Sequence, residues 1–241
     1  MKIDVVYKLG SNSSDNNKEL RYSLRSLSNF KNLGKVFIVG HKPEWAQNII
    51  HIPAKDLLTS NKDGNLIIKL SIACYHPDIT EYFINMSDDQ FFLKEFNLDQ
   101  IRIPYFNNKL SDFKPDQNLN RWERRLKNTI HTLQARGLPS DCYESHIPCL
   151  IGVESYIRAL SQFDYVSNQG MCGNTLYYNS LRTKGKQTDS STVRIMKPCL
   201  EEELEDICRD GLFFNYTENC LNNSLYNFLE KKFPTKSQYE I

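Results

Sequence analysis

The stretch FINMSDDQFFL, residues 83–93, is apolar at both ends and carries two adjacent carboxylates, Asp88 and Asp89, at its centre. A tight hairpin there would favour Asn-Gly or Asp-Gly, because type I′ turns need positive φ at both central positions. Ser-Asp-Asp-Gln supplies charge instead. Neighbouring carboxylates at a strand end can hold a hard divalent cation such as Mg²⁺ or Mn²⁺, which takes oxygen ligands and shares its shell with substrate phosphates. The same pair can also be a solvated turn.

Arg21 and Arg25 lie one helical turn apart, where like charges repel by about 0.2–0.5 kcal/mol unless an anion sits between them. A diphosphate would serve, since guanidinium forks bind phosphate oxygens in bidentate fashion; two arginines on a solvated helix face are the plainer reading. Lys69 interrupts LIIKLSIA, 66–73, and needs either a route to water or a fixed anion, whether a phosphate or a carboxylate. His146 precedes Ile147-Pro148, where proline favours extended backbone before it. Its imidazole suits a proton acceptor for an attacking hydroxyl near neutral pH, and equally a structural role. Gly170 and Gly173 allow close backbone approach to a ligand and Asn174 offers an amide, or the glycines merely shape a turn.

These residues need a frame. IDVVY at 3–7, KVFIVG at 35–40, IIHIP at 49–53 and the segment around Phe83 read as strands. KELRYSLRSLSNF at 18–30 places Leu20, Leu24 and Leu27 on one helical face, and GNLIIKLSIACYHP is a helix that stops at Pro77. This β-α-β-β-α-β order predicts an α/β fold with a largely parallel sheet flanked by helices. Ligands bind such sheets beyond the carboxyl ends of the strands, where Asp88 and Asp89 fall. An amphipathic helix is expected within 119–139, and KGKQTDSSTV at 184–193 has the composition of a surface loop or lid.

The 241 residues balance 30 Lys plus Arg against 29 Asp plus Glu, a net charge of +1 that argues against a nucleic-acid partner. An apolar fraction of 40% supports a packed core. Seven cysteines form no C-x-x-C pair, which leaves zinc and redox motifs unsupported. Neither a signal-peptide core nor an apolar run long enough to span a membrane is apparent, so a cytoplasmic protein with free thiols is expected.

Taken together, IDVVY, NKELRYSLRSL, KVFIVGHKPEW and YFINMSDDQFFL resemble, in order and spacing, the Stealth family of sugar-phosphate transferases. SHIPCLIGVESYIRAL is similar to that family's third region, in which a His-x-Pro opens a helix, and FPTKSQYE to the C-terminal ending of its bacterial and phage members. The resemblance implies one GT-A-like, Rossmann-related nucleotide-diphosphosugar transferase domain over 1–241, with 1–110 binding the nucleotide sugar and 111–241 forming the acceptor and catalytic part. It implies transfer of a sugar-1-phosphate from a nucleotide sugar to a saccharide hydroxyl in surface or capsular polysaccharide synthesis. It also implies site roles: Asp4 near the nucleotide, Arg21 and Arg25 at the diphosphate, Asp88 and Asp89 at Mg²⁺ or Mn²⁺, and His146 with Asp89 at the reacting phosphate. Lys69 and Asn174 complete the expected donor site. Two alternatives accompany this expectation: a metal-dependent glycosyltransferase that moves the sugar itself, and a non-catalytic module that binds carbohydrate or nucleotide.

Overall fold

The computed structural model describes residues 1–10, 15–114, 118–167 and 170–241. In chain order the elements are β1 (Ile3–Leu9), α1 (Lys18–Ser26), β2 (Leu33–Gly40), β3 (Ile50–Ile52), α2 (Lys62–Cys74), β4 (Tyr82–Met86), β5 (Gln90–Phe92), β6 (Tyr105–Phe106), α3 (Arg121–Gln134), β7 (Cys149–Gly152), α4 (Val153–Leu160), α5 (Gly173–Ser180), β8 (Lys186–Gln187), β9 (Thr192–Ile195), α6 (Glu201–Cys208), β10 (Phe213–Tyr216) and α7 (Asn223–Lys232).

The central sheet has the order β3-β2-β1-β4-β7, parallel except for the antiparallel edge strand β7. Its strands are apolar on both faces because both faces are covered. Val6, Phe37, Val39 and Phe83 pack against α2, α3, α4 and α5, whereas Val5, Tyr7, Ile38 and Ile84 pack against Leu20 and Leu24 of α1 and Leu27 just beyond it. A smaller sheet, β5-β10-β9, lies against that second face through Phe92 and Phe213. Its far side, with Phe91, Phe214 and Tyr216, is covered by residues of α6 and α7.

Two readings of the sequence need correction. KGKQTDSSTV contains β8 and the start of β9, because its backbone groups find partners in β6 and β10. The His-x-Pro of 146–148 does not open a helix directly; β7 intervenes, since residues 149–152 complete the open edge of β4 before α4 begins. Among the described residues no helix is long and apolar enough to cross a membrane.

Candidate functional site

Strand β4 belongs to the central sheet and β5 to the smaller one, so Ser87, Asp88 and Asp89 stand where the chain crosses between sheets. The crossing is a turn in which Gln90 N–H donates to the Ser87 carbonyl at 3.2 Å, while Ser87 N–H donates to Gln90 Oε1 at 3.0 Å. That closure explains why no glycine is needed. Asp88 and Asp89 line a cavity of about 700 Å³ with Asn17, Glu19, Lys62, His146 and Tyr216.

The acids are crowded. Burial, followed by the charges of Asp88 and Glu19, pushes the Asp89 carboxyl up to about 7. Burial also raises Asp88, against the lowering pull of its backbone hydrogen bond, Lys62 and Lys8. Asp89 Oδ1 and Asn17 Oδ1 are sealed from solvent without a hydrogen-bond partner among the described residues. Buried oxygens lacking donors are what a cation would satisfy. No cluster of three His, Cys, Asp or Glu suited to a metal occurs among the described residues, so a cation here could draw on Asp88 and Asp89 for only part of its shell. That suits Mg²⁺ or Mn²⁺ completed by phosphate and water.

A second cavity, of about 250 Å³, adjoins the first; Lys8, Lys62, Leu66, Ser87 and His146 line both. Its other walls include Asp63, Arg121, Arg125, Glu144, Asn85 and Asn174. Arg121 and Arg125 are paired with Asp63 at 3.1 and 3.2 Å, and Arg125 lies 3.9 Å from Glu144. His146 sits at the seam with a left-handed φ of 54°, an uncommon backbone for a residue other than glycine. Burial, with the cations Arg194, Arg125 and Lys8, brings its pKa down to about 4, so the unliganded imidazole is neutral at physiological pH. Arg194 on β9 is in register with Asn215 on β10, which in turn faces Gln90 on β5.

The structure therefore brings Asp88, Asp89, His146 and Asn174 to one cleft and places four other expected site residues outside it or in internal pairs. Asp4 is at the amino end of β1, opposite the cleft. Its carboxylate accepts from the Lys35 N–H at 2.7 Å and the Thr80 N–H at 2.9 Å, tying β1 to its neighbours. A Cβ on Gly34 would meet Asp4 Oδ1 at 2.5 Å, so the glycine admits that carboxylate. Arg25 and Arg21 converge on Glu240, and Arg21 also stacks on Trp45, 4.0 Å from its ring centroid. The anion between the arginines is thus a side chain of the same protein. Lys69 bonds Asp56 at 2.7 Å and the Leu9 carbonyl at 2.8 Å, which satisfies it internally. Gly173 lines the smaller cavity beside Asn174, and a Cβ at Gly170 or Gly173 would meet Arg125 Cγ at 2.8 Å or Ile67 Cγ1 at 2.9 Å.

Lys8, Lys62, Arg125, Glu144 and Arg194 escaped the sequence reading. Lys8 had a usable signal, since it stands at the carboxyl end of β1, where open α/β sheets bind ligands. The others carried none, as their relation to the acids arises from long-range packing.

No family model matches the chain, and no curated protein sequence matches it. Solved structures do. A galactosyltransferase LgtC in complex with donor and acceptor sugar analogues is similar over 98% of both chains at 10% identity, with a TM-score of 0.51. The fold is that of the GT-A glycosyltransferases. An active-site mutant of LgtC matches equally, at 11% identity, 98% of both chains and a TM-score of 0.51. A glycosyltransferase involved in glycosylation of the major capsid of PBCV-1 is more distant, at 10% identity over 98% of this chain and 100% of that one, with a TM-score of 0.42. Within this GT-A frame Asp88 and Asp89 occupy the carboxyl end of a central strand, and the small sheet closes one side of the cleft.

Proposed function

We propose that the chain is a nucleotide-sugar-dependent transferase whose donor lies in the larger cavity and whose saccharide acceptor lies in the smaller one. One observation carries this reading: the Asp88–Asp89 pair, with its orphaned buried oxygen, opens on a cavity that joins a second one at His146. Asp88 and Asp89 would hold Mg²⁺ or Mn²⁺, which when bound neutralises diphosphate charge.

The residues bear on which bond breaks. In the sugar-1-phosphate reading, the acceptor oxygen bonds to the distal phosphorus. The bond from that phosphorus to the bridging oxygen breaks, and its electron pair leaves with nucleoside monophosphate. His146, neutral and at the seam, accepts the hydroxyl proton. Attack at phosphorus loads charge on the phosphoryl oxygens, so cations around the seam favour it. Lys62 and Arg125 line that region, and the Stealth-like sequence stretches support the same choice, with a surface polysaccharide as acceptor. The likeness in fold to LgtC favours the second reading, transfer of the sugar itself with release of nucleoside diphosphate.

Incubation with a panel of nucleotide sugars and saccharide acceptors tests both. Release of nucleoside monophosphate, abolished by EDTA and by His146→Ala, is the expected result. Nucleoside diphosphate with a glycosidic product establishes the second reading, and tight donor binding without turnover makes the protein a binding module.

A further inference from the structure

Lys8 differs from Lys69, Arg121 and Arg125 in the groups it meets. Lys69, Arg121 and Arg125 each face a carboxylate within 4 Å. Lys8 has no carboxylate at ion-pair distance among the described residues; its Nζ donates to Asn85 Oδ1 and, at 3.4 Å, to the Met86 carbonyl. Those are neutral acceptors for two of its three N–H bonds. The Asn85 amide is itself oriented, because its Nδ2 donates to Asn174 Oδ1 at 3.2 Å, which leaves its oxygen for Lys8. Three side chains from β1, β4 and α5 thus fix one ammonium where the two cavities meet.

Lys8 is half-buried, and an ammonium partly withdrawn from water without a counter-charge beside it is unfavourable. Burial brings Lys8 down to about 8, against the raising influence of Cys149, Glu144, Asp88 and Asp89. Lys62 of α2 and His146 share its surroundings. A ligand reaching from the Asp88–Asp89 pair into the smaller cavity crosses the seam that Lys8 lines with Lys62, Leu66, Ser87 and His146. We propose that Lys8, positioned by Asn85 and Asn174, binds the distal, sugar-bearing phosphate of the donor diphosphate at the seam. The compact ammonium, with rotatable donors, suits a tetrahedral phosphoryl group better than a rigid planar fork does. This inference rests on the reading of the cleft as a nucleotide-sugar site.

Calorimetry with UDP, CDP, GDP and ADP, and with the corresponding monophosphates, each with excess Mn²⁺, tests it. The wild type is expected to prefer a diphosphate. Lys8→Met should weaken that diphosphate about tenfold while leaving the monophosphate within about twofold, and Lys8→Arg should recover part of the loss. Lys8→Gln repeats the comparison if Lys8→Met does not fold. Unchanged diphosphate affinity, or equal loss of both nucleotides as a structural role would give, overturns the assignment of Lys8 and leaves the nucleotide site standing. A wild type that binds none of the probes overturns both.

Discussion

Arg25 grips Glu240 across 215 positions of sequence: Nε donates to Oε1 at 2.9 Å and Nη2 to Oε2 at 3.0 Å. Arg21 Nη1 approaches the same carboxylate at 3.5 Å, and the Glu240 side chain is fully buried. The Ser237 N–H and hydroxyl also donate to it. The last residues are thereby clasped to α1, and the arginine pair has an internal counter-ion rather than a diphosphate.

Glu240→Gln should destabilise the fold by roughly 2 kcal/mol at neutral pH, because Arg21 and Arg25 lose their shared buried carboxylate and Arg25 keeps only the exposed Glu230, at 3.2 Å, as an anionic partner. Burial raises the Glu240 carboxyl, but Arg25 and Ser237 outweigh it and hold the group below the usual carboxylate range. A depressed folded-state pKa contributes stability above the ordinary glutamate pKa that is lost as pH falls through the folded value. Urea unfolding of wild type and variant at neutral and strongly acidic pH should show the difference shrinking in acid. Nucleotide binding should survive the substitution.

Asp4→Ala should cost roughly 2 kcal/mol by removing the buried carboxylate that accepts from the partly buried Lys35 and Thr80 N–H groups. Its lesion lies at the end of the sheet remote from the cleft. Chemical denaturation should reveal the loss, while affinity for a nucleoside diphosphate with Mn²⁺ should match wild type.

Asp89 should behave oppositely. Its pKa is raised to about 7, so its contribution to the metal-free protein is fully present below the unfolded aspartate pKa of about 3.9 and fades as pH rises toward 7. Asp89→Asn is therefore expected to be more heat-stable than wild type at pH 8 and little different near pH 4, by calorimetric melting without metal. The same variant should lose metal-dependent nucleotide binding. In wild type, Mn²⁺ affinity should climb as pH rises to about 7, with a proton released on binding.

His146, with its pKa brought down to about 4, should stay neutral across pH 5–8 in the unliganded protein. An anionic donor beside it should raise that value. Imidazole carbon-13 chemical shifts, recorded with and without nucleoside diphosphate and Mg²⁺, measure both. His146→Ala should cut turnover about a thousandfold while nucleotide affinity stays within a few-fold, consistent with loss of a proton acceptor.

The α/β succession, the buried face of α1 and the position of Asp88 and Asp89 beyond a strand end were legible in the residues, because they depend on local periodicity. Apolar residues at period 3.6 or in short runs must be covered wherever they occur, and α2 must stop near Pro77 regardless of its neighbours. Charge roles were not legible in the same way. Arg25, Lys69 and Asp4 each looked ready for a ligand, yet each is satisfied by a group distant in sequence or on a neighbouring strand. A sequence shows that a buried charge needs a partner; only the tertiary structure decides whether that partner is another residue or is left to a ligand. Lys8 shows the reverse case, an ordinary residue at the end of a strand that folding leaves among neutral acceptors at the seam of two cavities.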